Sequence, residues 1–379
     1  MKKIQMVDLV SQTQKIQSTI TDSWNKILQT GAFIGGDEVN AFSKELETFL
    51  GNSSQVIPCA NGTDALQIAL MALDLKPGDE VITADFTFAA TVEVIHLLGL
   101  TSVLVDVDPE TFLMDPKRLE AAITDKTKAI IPVHLFGQCA PMEEILHIAK
   151  KHDLFVIEDT AQAIGAEYTF TDGSAKKAGT MGTIGTTSFF PSKNLGCFGD
   201  GGAIFTGDDK LAHIIRGIAN HGMYQRYYHD VVGVNSRLDA LQASVLRAKL
   251  PLLPEYNKAR QEAARVYSEG LSGVKELKTP SFAANSTHVF HQYTLQVLNG
   301  KRDELQAFLA SKDIPAMIYY PVALRKQKAY DTGNYNDAEF PVTDDLITKV
   351  ISLPMHTELD SEQQNYIIDN IKAFFHENN

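Results

Sequence analysis

Lys193 is the residue whose surroundings most favour covalent chemistry. A short apolar strand predicted at residues 187–190 leads into it, and a glycine-rich turn at residues 199–202 follows before another apolar strand. A lysine amine with few solvated neighbours has a lowered pKa, and the neutral amine is the nucleophile that Schiff-base chemistry requires. A surface lysine in a hairpin is an equally simple interpretation, so both stay open at this point.

Asp159 ends a short apolar run that begins near Val156. A carboxylate at the end of a buried strand needs a partner, because burying it unpaired costs free energy. A protonated pyridine nitrogen is one such partner, and Asp159 could instead cap a helix or bind a metal ion. No cluster of histidine and aspartate surrounds it in the sequence, so the metal site is the weaker interpretation.

The turn made by Asn61, Gly62 and Thr63 joins a predicted strand to a predicted helix. Glycine lets the backbone approach a ligand closely, and the free N–H groups of a helix N-terminus favour a phosphate. Such turns are common in α/β folds, so this turn is a weak signal by itself. It has neither the P-loop pattern nor the G-x-G-x-x-G pattern of dinucleotide sites.

The elements that would position these residues alternate between strands and helices from about residue 55. Apolar runs predict strands at residues 56–59, 81–83, 102–105, 129–133 and 154–157. Helical periodicity predicts helices at residues 63–73, 89–98, 115–122 and 142–150. Continuously apolar strands separated by helices indicate a parallel sheet covered on both faces. Ligands bind at the carboxyl ends of such strands, which are residues 61–63, 85–88, 134–138 and 158–162.

Two further regions complete the predicted organisation. The first 50 residues are mostly helical and are broken at Gly35 and Gly36. Beyond residue 250 the pattern changes to a long helix at residues 255–271, a strand at 292–297 and a helix at 301–310. A final helix is predicted from Ser361, with a capping box formed by Ser361 and Gln364. We therefore expect a large domain at residues 1–250 and a smaller α/β domain at residues 251–379.

Composition excludes several classes of function. The chain has 379 residues and a net charge of −13, which argues against nucleic acid or an anionic membrane surface as a partner. Its three cysteines form no C-x-x-C pair, so neither a zinc site nor a disulfide framework is expected. No stretch approaches 18 apolar residues and no secretory signal is visible, which predicts a cytoplasmic protein without a membrane span.

The three candidate sites together meet the needs of one cofactor, pyridoxal 5′-phosphate: a phosphate cradle, a strand-end aspartate and a lysine 34 residues further on. Their order and surroundings resemble the fold-type-I aminotransferases, and more narrowly the DegT/StrS family of nucleotide-sugar aminotransferases, from about Val7 onward. The resemblance is carried by Ala60-Asn61-Gly62-Thr63-Asp64-Ala65-Leu66, Phe86-Thr87-Phe88-Ala89-Ala90-Thr91, Ile157-Glu158-Asp159-Thr160-Ala161-Gln162, Ser188-Phe189-Phe190-Pro191-Ser192-Lys193 and Gly233-Val234-Asn235-Ser236-Arg237-Leu238-Asp239. It implies an aspartate aminotransferase-like α/β fold, whose large domain holds a mainly parallel seven-stranded sheet and whose C-terminal domain is smaller.

The same resemblance implies a role for each matching residue. Lys193 corresponds to the lysine of the Schiff base, Asp159 to the partner of the pyridinium nitrogen and Gln162 to the contact with the ring hydroxyl. The other implied cofactor contacts are Gly62, Thr63 and Ser188 on the phosphate, Phe88 stacked on the ring, and Asn235 on the phosphate of the neighbouring subunit. The family picture is therefore a homodimer with shared active sites.

Some motifs resemble a subgroup that converts UDP-2-acetamido-2-deoxy-3-oxo-D-glucuronate, with L-glutamate as amino donor, for surface polysaccharide (lipopolysaccharide or capsule) biosynthesis. The motifs are Phe189-Phe190-Pro191-Ser192-Lys193, the Gln138-Cys139-Ala140 turn and the stretch from His221 through His229 to Arg237. One position departs, since the subgroup has a histidine where this chain has Tyr319, before Tyr320 and Pro321. We expect His229, Tyr319, Tyr320 and Arg237 to contact the substrate.

Arg237 is the candidate for recognising an acidic group on that substrate. An acidic chain needs a local cation to bind a carboxylate or a diphosphate, and the planar guanidinium suits a carboxylate. The alternative is a local ion pair with Asp239. The aromatic residues within 224–228, with Arg226, could stack on a uracil, although a solvated loop is an equal interpretation.

Three other functions are compatible with parts of this pattern. The first is an aminotransferase for a 4-keto or 3-keto 6-deoxyhexose linked to dTDP or UDP. The second is a pyridoxal phosphate-dependent sugar dehydratase, but those relatives have a histidine at the Schiff-base position, and this chain has Lys193. The third is a non-catalytic regulator, which would tolerate loss of Lys193 or Asp159, whereas this chain retains both.

Overall fold

The computed structural model describes residues 2–377. In chain order its elements are α1 (Leu9–Thr30), α2 (Asp37–Phe49), β1 (Gln55–Cys59), α3 (Gly62–Ala72), β2 (Glu80–Ala84), α4 (Ala90–Leu97), β3 (Thr101–Val105), α5 (Pro116–Ala121), β4 (Thr127–Ile131), α6 (Met142–His152), β5 (Phe155–Asp159), β6 (Glu167–Thr169), β7 (Ala175–Lys177), β8 (Ile184–Ser188), β9 (Gly202–Thr206), α7 (Asp209–Ala219), β10 (Met223–Gln225), β11 (Tyr228–His229), α8 (Ala240–Lys249), α9 (Leu253–Leu271), β12 (Leu277–Lys278), β13 (Tyr293–Val297), α10 (Arg302–Ser311), α11 (Pro341–Lys349), β14 (Val350–Leu353) and α12 (Ser361–Glu377).

A seven-stranded sheet forms the centre of the molecule, as the family resemblance implied. Its strand order is β1-β9-β8-β5-β4-β2-β3. β9 runs antiparallel to both of its neighbours, and the other pairs are parallel. The carboxyl ends of β1, β2, β5 and β8 therefore lie at one edge of the sheet, where parallel sheets bind ligands.

Both faces of this sheet are buried, which explains why its strands are continuously apolar. Neighbouring residues of a strand point to opposite faces, so Ile131 and Ile157 pack in the cluster that includes α3 and α7. Ile130 and Val156 pack on the other side, with residues of α5 and α6. The predicted strands and helices between residues 55 and 159 are thus confirmed, with shifts of one or two residues at their ends.

A second hydrophobic core lies on α9, α10, α12 and the antiparallel sheet β12-β13-β14. Ile4, at the other end of the chain, is buried in the same cluster. Met6 accepts a hydrogen bond from Met355 N, and Lys3 accepts one from Gln363 Nε2 at 3.3 Å. We propose the domain division near residue 250, because most of this second core comes from the chain beyond that residue.

The predicted capping box of α12 is wrong by one residue. Asp360 Oδ1 accepts from Gln363 N at 2.8 Å, and Gln363 Oε1 accepts from Asp360 N at 3.1 Å. Ser361 is instead the first helical residue, and Gln364 donates to the carbonyl oxygen of Ala263 from a buried position. The reason is that Asp360 also offers a capping oxygen and stands one position earlier.

Arg325 connects the later part of the chain to the large sheet. Its backbone N–H donates to Asp85 Oδ1 at 2.8 Å, and its guanidinium contacts Asp85 Oδ2. The guanidinium also pairs with Asp344 at 2.6 Å and with Asp337 at 3.0 Å, and its carbon lies 4.4 Å from the Phe340 ring centroid. Since Asp85 directly follows β2, this cluster fixes the segment around residue 325 against the edge that carries the candidate site.

No helix within residues 2–377 is long and apolar enough to cross a membrane.

Candidate active site

The predicted phosphate turn and Ser188 meet at the carboxyl edge of the sheet. Asn61 caps α3 through a 2.7 Å bond from Asp64 N, which leaves Gly62 and Thr63 in the first helical turn. The N–H groups of that turn have no acceptor within the helix. A Cβ on Gly62 would lie 2.7 Å from the Cβ of Ser188, so this close approach requires glycine.

Asp159 lies at the end of β5 and is buried. Its Oδ2 accepts a 3.0 Å hydrogen bond from the hydroxyl of Thr91, and its Oδ1 accepts a 3.1 Å bond from Ala161 N. Two hydrogen-bond donors thus fix the orientation of the carboxylate. Asp159 does not cap a helix, because it ends the strand β5. Its side chain accepts the hydroxyl of Thr91, which lies in α4.

Lys193 stands in a tight turn between β8 and β9, which pair as an antiparallel hairpin. Lys193 N donates to Phe190 O at 2.8 Å, and Cys197 N donates to Phe189 O at 2.8 Å. Desolvation lowers the pKa of the Lys193 amine from 10.5 to about 8, against the opposing effect of the Asp159 carboxylate. Lys193 is half-buried and its amine is desolvated, which argues against the interpretation as a freely solvated hairpin lysine.

Gln162 and Tyr320 are hydrogen-bonded to each other. The sequence analysis assigned Gln162 to the cofactor and Tyr320 to the substrate. Gln162 Nε2 donates to Tyr320 Oη at 3.1 Å, while Gln162 Oε1 accepts from Phe136 N at 2.7 Å. Phe88 lies beside them, with its ring centroid 6.2 Å from that of Tyr320 and with 56% of its surface exposed. Burial raises the pKa of both Tyr320 and the neighbouring Tyr319.

Asn235, Arg237 and His229 are all exposed. Ser236, between the first two, is buried and accepts a 2.9 Å bond from Ala60 N, next to the phosphate turn. Asn235 and Arg237 flank this anchor in the sequence, and His229 Nδ1 lies 2.9 Å from the carbonyl oxygen of His221. Within residues 2–377 Arg237 forms no ion pair, so the expected alternative with Asp239 is not realised.

Sequence reasoning assigned no role to residues 169–185, and the structure gives part of that loop one. Glu158 is fully buried and accepts hydrogen bonds from the backbone N–H groups of Gly179, Met181 and Gly182. It also accepts from His134 Nε2 at 2.9 Å, because His134 Nδ1 takes the N–H of Ala140. The loop therefore holds the strand end that presents Asp159, and His134 is a packing group.

The chain matches the family model described as the DegT/DnrJ/EryC1/StrS aminotransferase family over residues 14–372. The chain belongs to this family. It is accordingly a pyridoxal phosphate-dependent aminotransferase, as the resemblance predicted.

Individual relatives align with nearly the whole length of this aminotransferase. A UDP-2-acetamido-2-deoxy-3-oxo-D-glucuronate aminotransferase of Pseudomonas aeruginosa is 47% identical over 94% of this chain and 96% of its own. A pleiotropic regulatory protein of Geobacillus stearothermophilus is 45% identical over 98% of each chain. The solved structure of Streptomyces venezuelae DesV in complex with a ketimine intermediate superposes with a TM-score of 0.93, at 34% identity and 99% coverage of both chains.

The residues at the sheet edge suit the cofactor of this family. Lys193 supplies a desolvated amine, and Asp159 supplies a buried carboxylate with room for a further donor. The first turn of α3 beside Ser188 suits a phosphate, and the exposed ring of Phe88 suits an aromatic face. No three His, Cys, Asp or Glu side chains gather as metal ligands within the described chain.

The lowered pKa of Lys193 is measurable on the cofactor-free aminotransferase. We expect competitive labelling with acetic anhydride, followed by peptide mapping, to give Lys193 a titration midpoint of about 8, below that of surface lysines. Asp159→Asn should lower this midpoint further, because the carboxylate favours the protonated ammonium. A midpoint near 10.5 in the wild type, or an upward shift in the variant, would contradict the assigned environment.

Proposed function

We propose that this aminotransferase transfers the amino group of L-glutamate to UDP-2-acetamido-2-deoxy-3-oxo-D-glucuronate, for the synthesis of a surface polysaccharide such as lipopolysaccharide or capsule. The observation that carries the proposal is the 47% identity to the Pseudomonas aeruginosa enzyme named for that substrate. Lys193 and Asp159 supply the amine and the carboxylate that transamination requires, and the exposed guanidinium of Arg237 offers a cation for an acidic sugar.

The roles proposed for the residues follow from their positions. When bound, the cofactor carries the amino group between the two half-reactions and accepts the electron pair released at the reacting carbon. Lys193 takes the proton from the donor's α-carbon and returns one, because desolvation leaves much of its amine neutral near pH 8. Asp159 would accept a hydrogen bond from the ring nitrogen, and the turn at Gly62 and Thr63, with Ser188, would hold the phosphate.

The substrate contacts proposed for Tyr319 and Tyr320 fit their place beside the ring-stacking residue. Tyr320 bridges Gln162 and Phe88, and Tyr319 is half-buried next to it. A tyrosine at position 319 offers a hydroxyl where the related subgroup has a histidine, so the chain keeps a polar group there. We assign both side chains to the sugar side of the site.

The hairpin β10–β11 is the surface we propose for the nucleotide. Tyr224 is stacked on His213, with 4.6 Å between their ring centroids, so its face is already occupied. Tyr227 and Tyr228 are instead mostly exposed, at 76% and 62%. Arg226 lies 5.0 Å from the Tyr227 ring and gives the hairpin a cation for a diphosphate.

Arg237 has the largest predicted influence on the choice of sugar. It is exposed, unpaired within the described chain and able to bind a carboxylate through two parallel hydrogen bonds. We expect Arg237→Ala and Arg237→Lys to reduce use of the keto-uronate roughly ten- to a hundredfold, since a hydrogen bond to a charged group contributes about 1.5–3 kcal/mol. The glutamate half-reaction should be spared.

Single-turnover kinetics of each half-reaction test this prediction for Arg237. The matched control substrate is the neutral hexose analogue of the uronate, with which the variants should behave like the wild type. Equal damage to both half-reactions, or an unchanged preference for the uronate, would reject the role.

We propose a homodimer in which Asn235 completes the partner's phosphate site. Asn235 is exposed, while Ser236 anchors its loop beside the phosphate turn of its own protomer. We expect Lys193→Ala and Asn235→Ala to be inactive separately, and a mixture of the two to regain activity in proportion to the heterodimers formed. Absence of recovery after verified subunit exchange would count against a shared site.

A panel of keto-sugar nucleotides with glutamate tests the proposed substrate. The UDP-linked 3-oxo-glucuronate should give the highest kcat/KM, and a dTDP- or UDP-linked 6-deoxyhexose preferred over it would favour the alternative aminotransferase. The relative named as a regulator gives one reason to test a non-catalytic role. A purified protein that stays colourless with pyridoxal phosphate would support that role, although Lys193 and Asp159 are both retained.

We also propose a cytoplasmic location. Cys59, Cys139 and Cys197 are buried, free thiols, which fits a reducing compartment.

A further inference from the structure

Thr91 is the only side chain within residues 2–377 that the structure hydrogen-bonds to the carboxylate of Asp159. Its Oγ1 lies 3.0 Å from Asp159 Oδ2, and the two residues are 68 positions apart in the chain. Thr91 is completely buried, so no water competes for its hydroxyl. The bond is therefore a fixed part of the site.

The position of Thr91 in α4 adds to the effect of its hydroxyl. It is the second residue of that helix, and its own N–H lies 3.4 Å from the carbonyl oxygen of Phe88. A carboxylate bonded at the first turn of a helix is stabilised by the helix dipole. Phe88, which we assign to the cofactor ring, lies in the short connection between β2 and α4, and Thr91, which contacts Asp159, lies three residues later in the first turn of α4.

The carboxylate of Asp159 keeps free hydrogen-bond acceptor sites after it has accepted the hydroxyl of Thr91. A carboxylate has about four lone-pair sites. Ala161 N occupies one on Oδ1, and Thr91 occupies one on Oδ2. The hydroxyl limits rotation of the carboxylate, which leaves its other lone-pair sites in a fixed position for a protonated ring nitrogen.

We propose that Thr91 is a positioning residue that holds Asp159 in one orientation, and so keeps the cofactor's ring nitrogen protonated. This inference rests on the proposed role of Asp159. Thr91 touches neither substrate nor the reacting carbon in this scheme, because it acts only through the carboxylate. The effect of its hydroxyl can therefore be distinguished by experiment from a general loss of packing.

The decisive variants are Thr91→Val and Thr91→Ser. Valine keeps the branched shape and removes the donor, whereas serine keeps the donor and removes only a methyl group. With 15N-labelled pyridoxal phosphate bound, we expect the ring-nitrogen chemical shift of Thr91→Val to move toward the unprotonated form. Thr91→Ser should retain the wild-type shift, and an unchanged shift in Thr91→Val would overturn the proposal.

Kinetics with a cofactor analogue separate this role from a structural one. We expect Thr91→Val to slow the glutamate half-reaction roughly ten- to a hundredfold with the natural cofactor. With 1-deaza-pyridoxal phosphate, whose ring carries carbon in place of the nitrogen, the same substitution should add no further loss. An equal proportional loss with both cofactors would mean that Thr91 matters only for packing, and would reject the proposal.

Thr83→Val is a matched control for these measurements. Thr83 is also fully buried, but its hydroxyl donates to the carbonyl oxygen of Ile131 within the sheet, at 2.8 Å. This variant should leave the ring-nitrogen shift unchanged. Failure of the wild type to aminate any keto-sugar would reject the proposed function, whereas the nitrogen shift would still decide the role of Thr91.

Discussion

Replacement of Lys193 by alanine should abolish transamination and the covalent link between protein and cofactor. General acid–base catalysis contributes about 10²–10⁴-fold to a rate, and loss of the covalent attachment adds to that, so the decrease should be at least in this range. The measurement is the rate of each half-reaction, together with borohydride reduction and peptide mapping. The wild type should show the reduced adduct on Lys193, and the variant should show none.

Lys249 provides a strong internal control for this assignment. Desolvation also lowers its pKa to about 8, so a lowered pKa alone does not identify the reactive lysine. Its amine is fully buried and donates to the carbonyl oxygen of Gly196 at 2.8 Å, which leaves it without access to a ligand. A reduced adduct on Lys249 in either protein would show that the assignment to Lys193 is wrong.

Arg325→Met should lower the stability of the fold by about 3–5 kcal/mol at neutral pH, because it leaves the buried Asp85 carboxylate unpaired. Burial already raises the pKa of Asp85, and the hydrogen bonds and charge of Arg325 oppose that rise. Without Arg325 the pKa must rise further. The unfolded chain then releases the Asp85 proton at a lower pH than the folded chain does, so the variant loses stability as the pH increases.

Denaturant unfolding at about pH 5 and about pH 7.5 tests the prediction. The deficit of Arg325→Met relative to the wild type should be smaller at the lower pH, where protonation of Asp85 removes the uncompensated charge. Adding Asp85→Asn to Arg325→Met should recover part of the loss at the higher pH. A deficit that is independent of pH would show that packing against Phe340, and not the charge of Asp85, is what Arg325 provides.

The local chemistry of the site was readable from the sequence because each feature lies within a few residues. Gly62 and Thr63 begin a helix directly after a strand, as the turn at residues 61–63 predicts, and the helix predicted at residues 115–122 begins at Pro116. The apolar strands likewise needed only the pattern of their own residues. The resemblance added the cofactor, which these patterns favour but do not name.

The contacts that could not be predicted from the sequence join residues far apart in the chain. Thr91 reaches Asp159 across 68 positions, and Arg325 reaches Asp85 across 240. A threonine in a first helical turn and an arginine in a single 3-10 turn have no periodic signal, so only the folded arrangement assigns their partners. The capping box of α12 failed for a different reason, since Asp360 and Ser361 both offer an oxygen and the sequence does not rank adjacent caps.

The burial of Ile4 among residues of α9, α10 and α12 has a consequence for biosynthesis. Residues 2–6 are translated long before residues 350–377, yet they contact Met355 and Gln363 in the finished fold. On the ribosome, the large sheet can assemble while this early segment has no partner, because domains fold as units during synthesis. The second core can therefore close only after α12 has been synthesised.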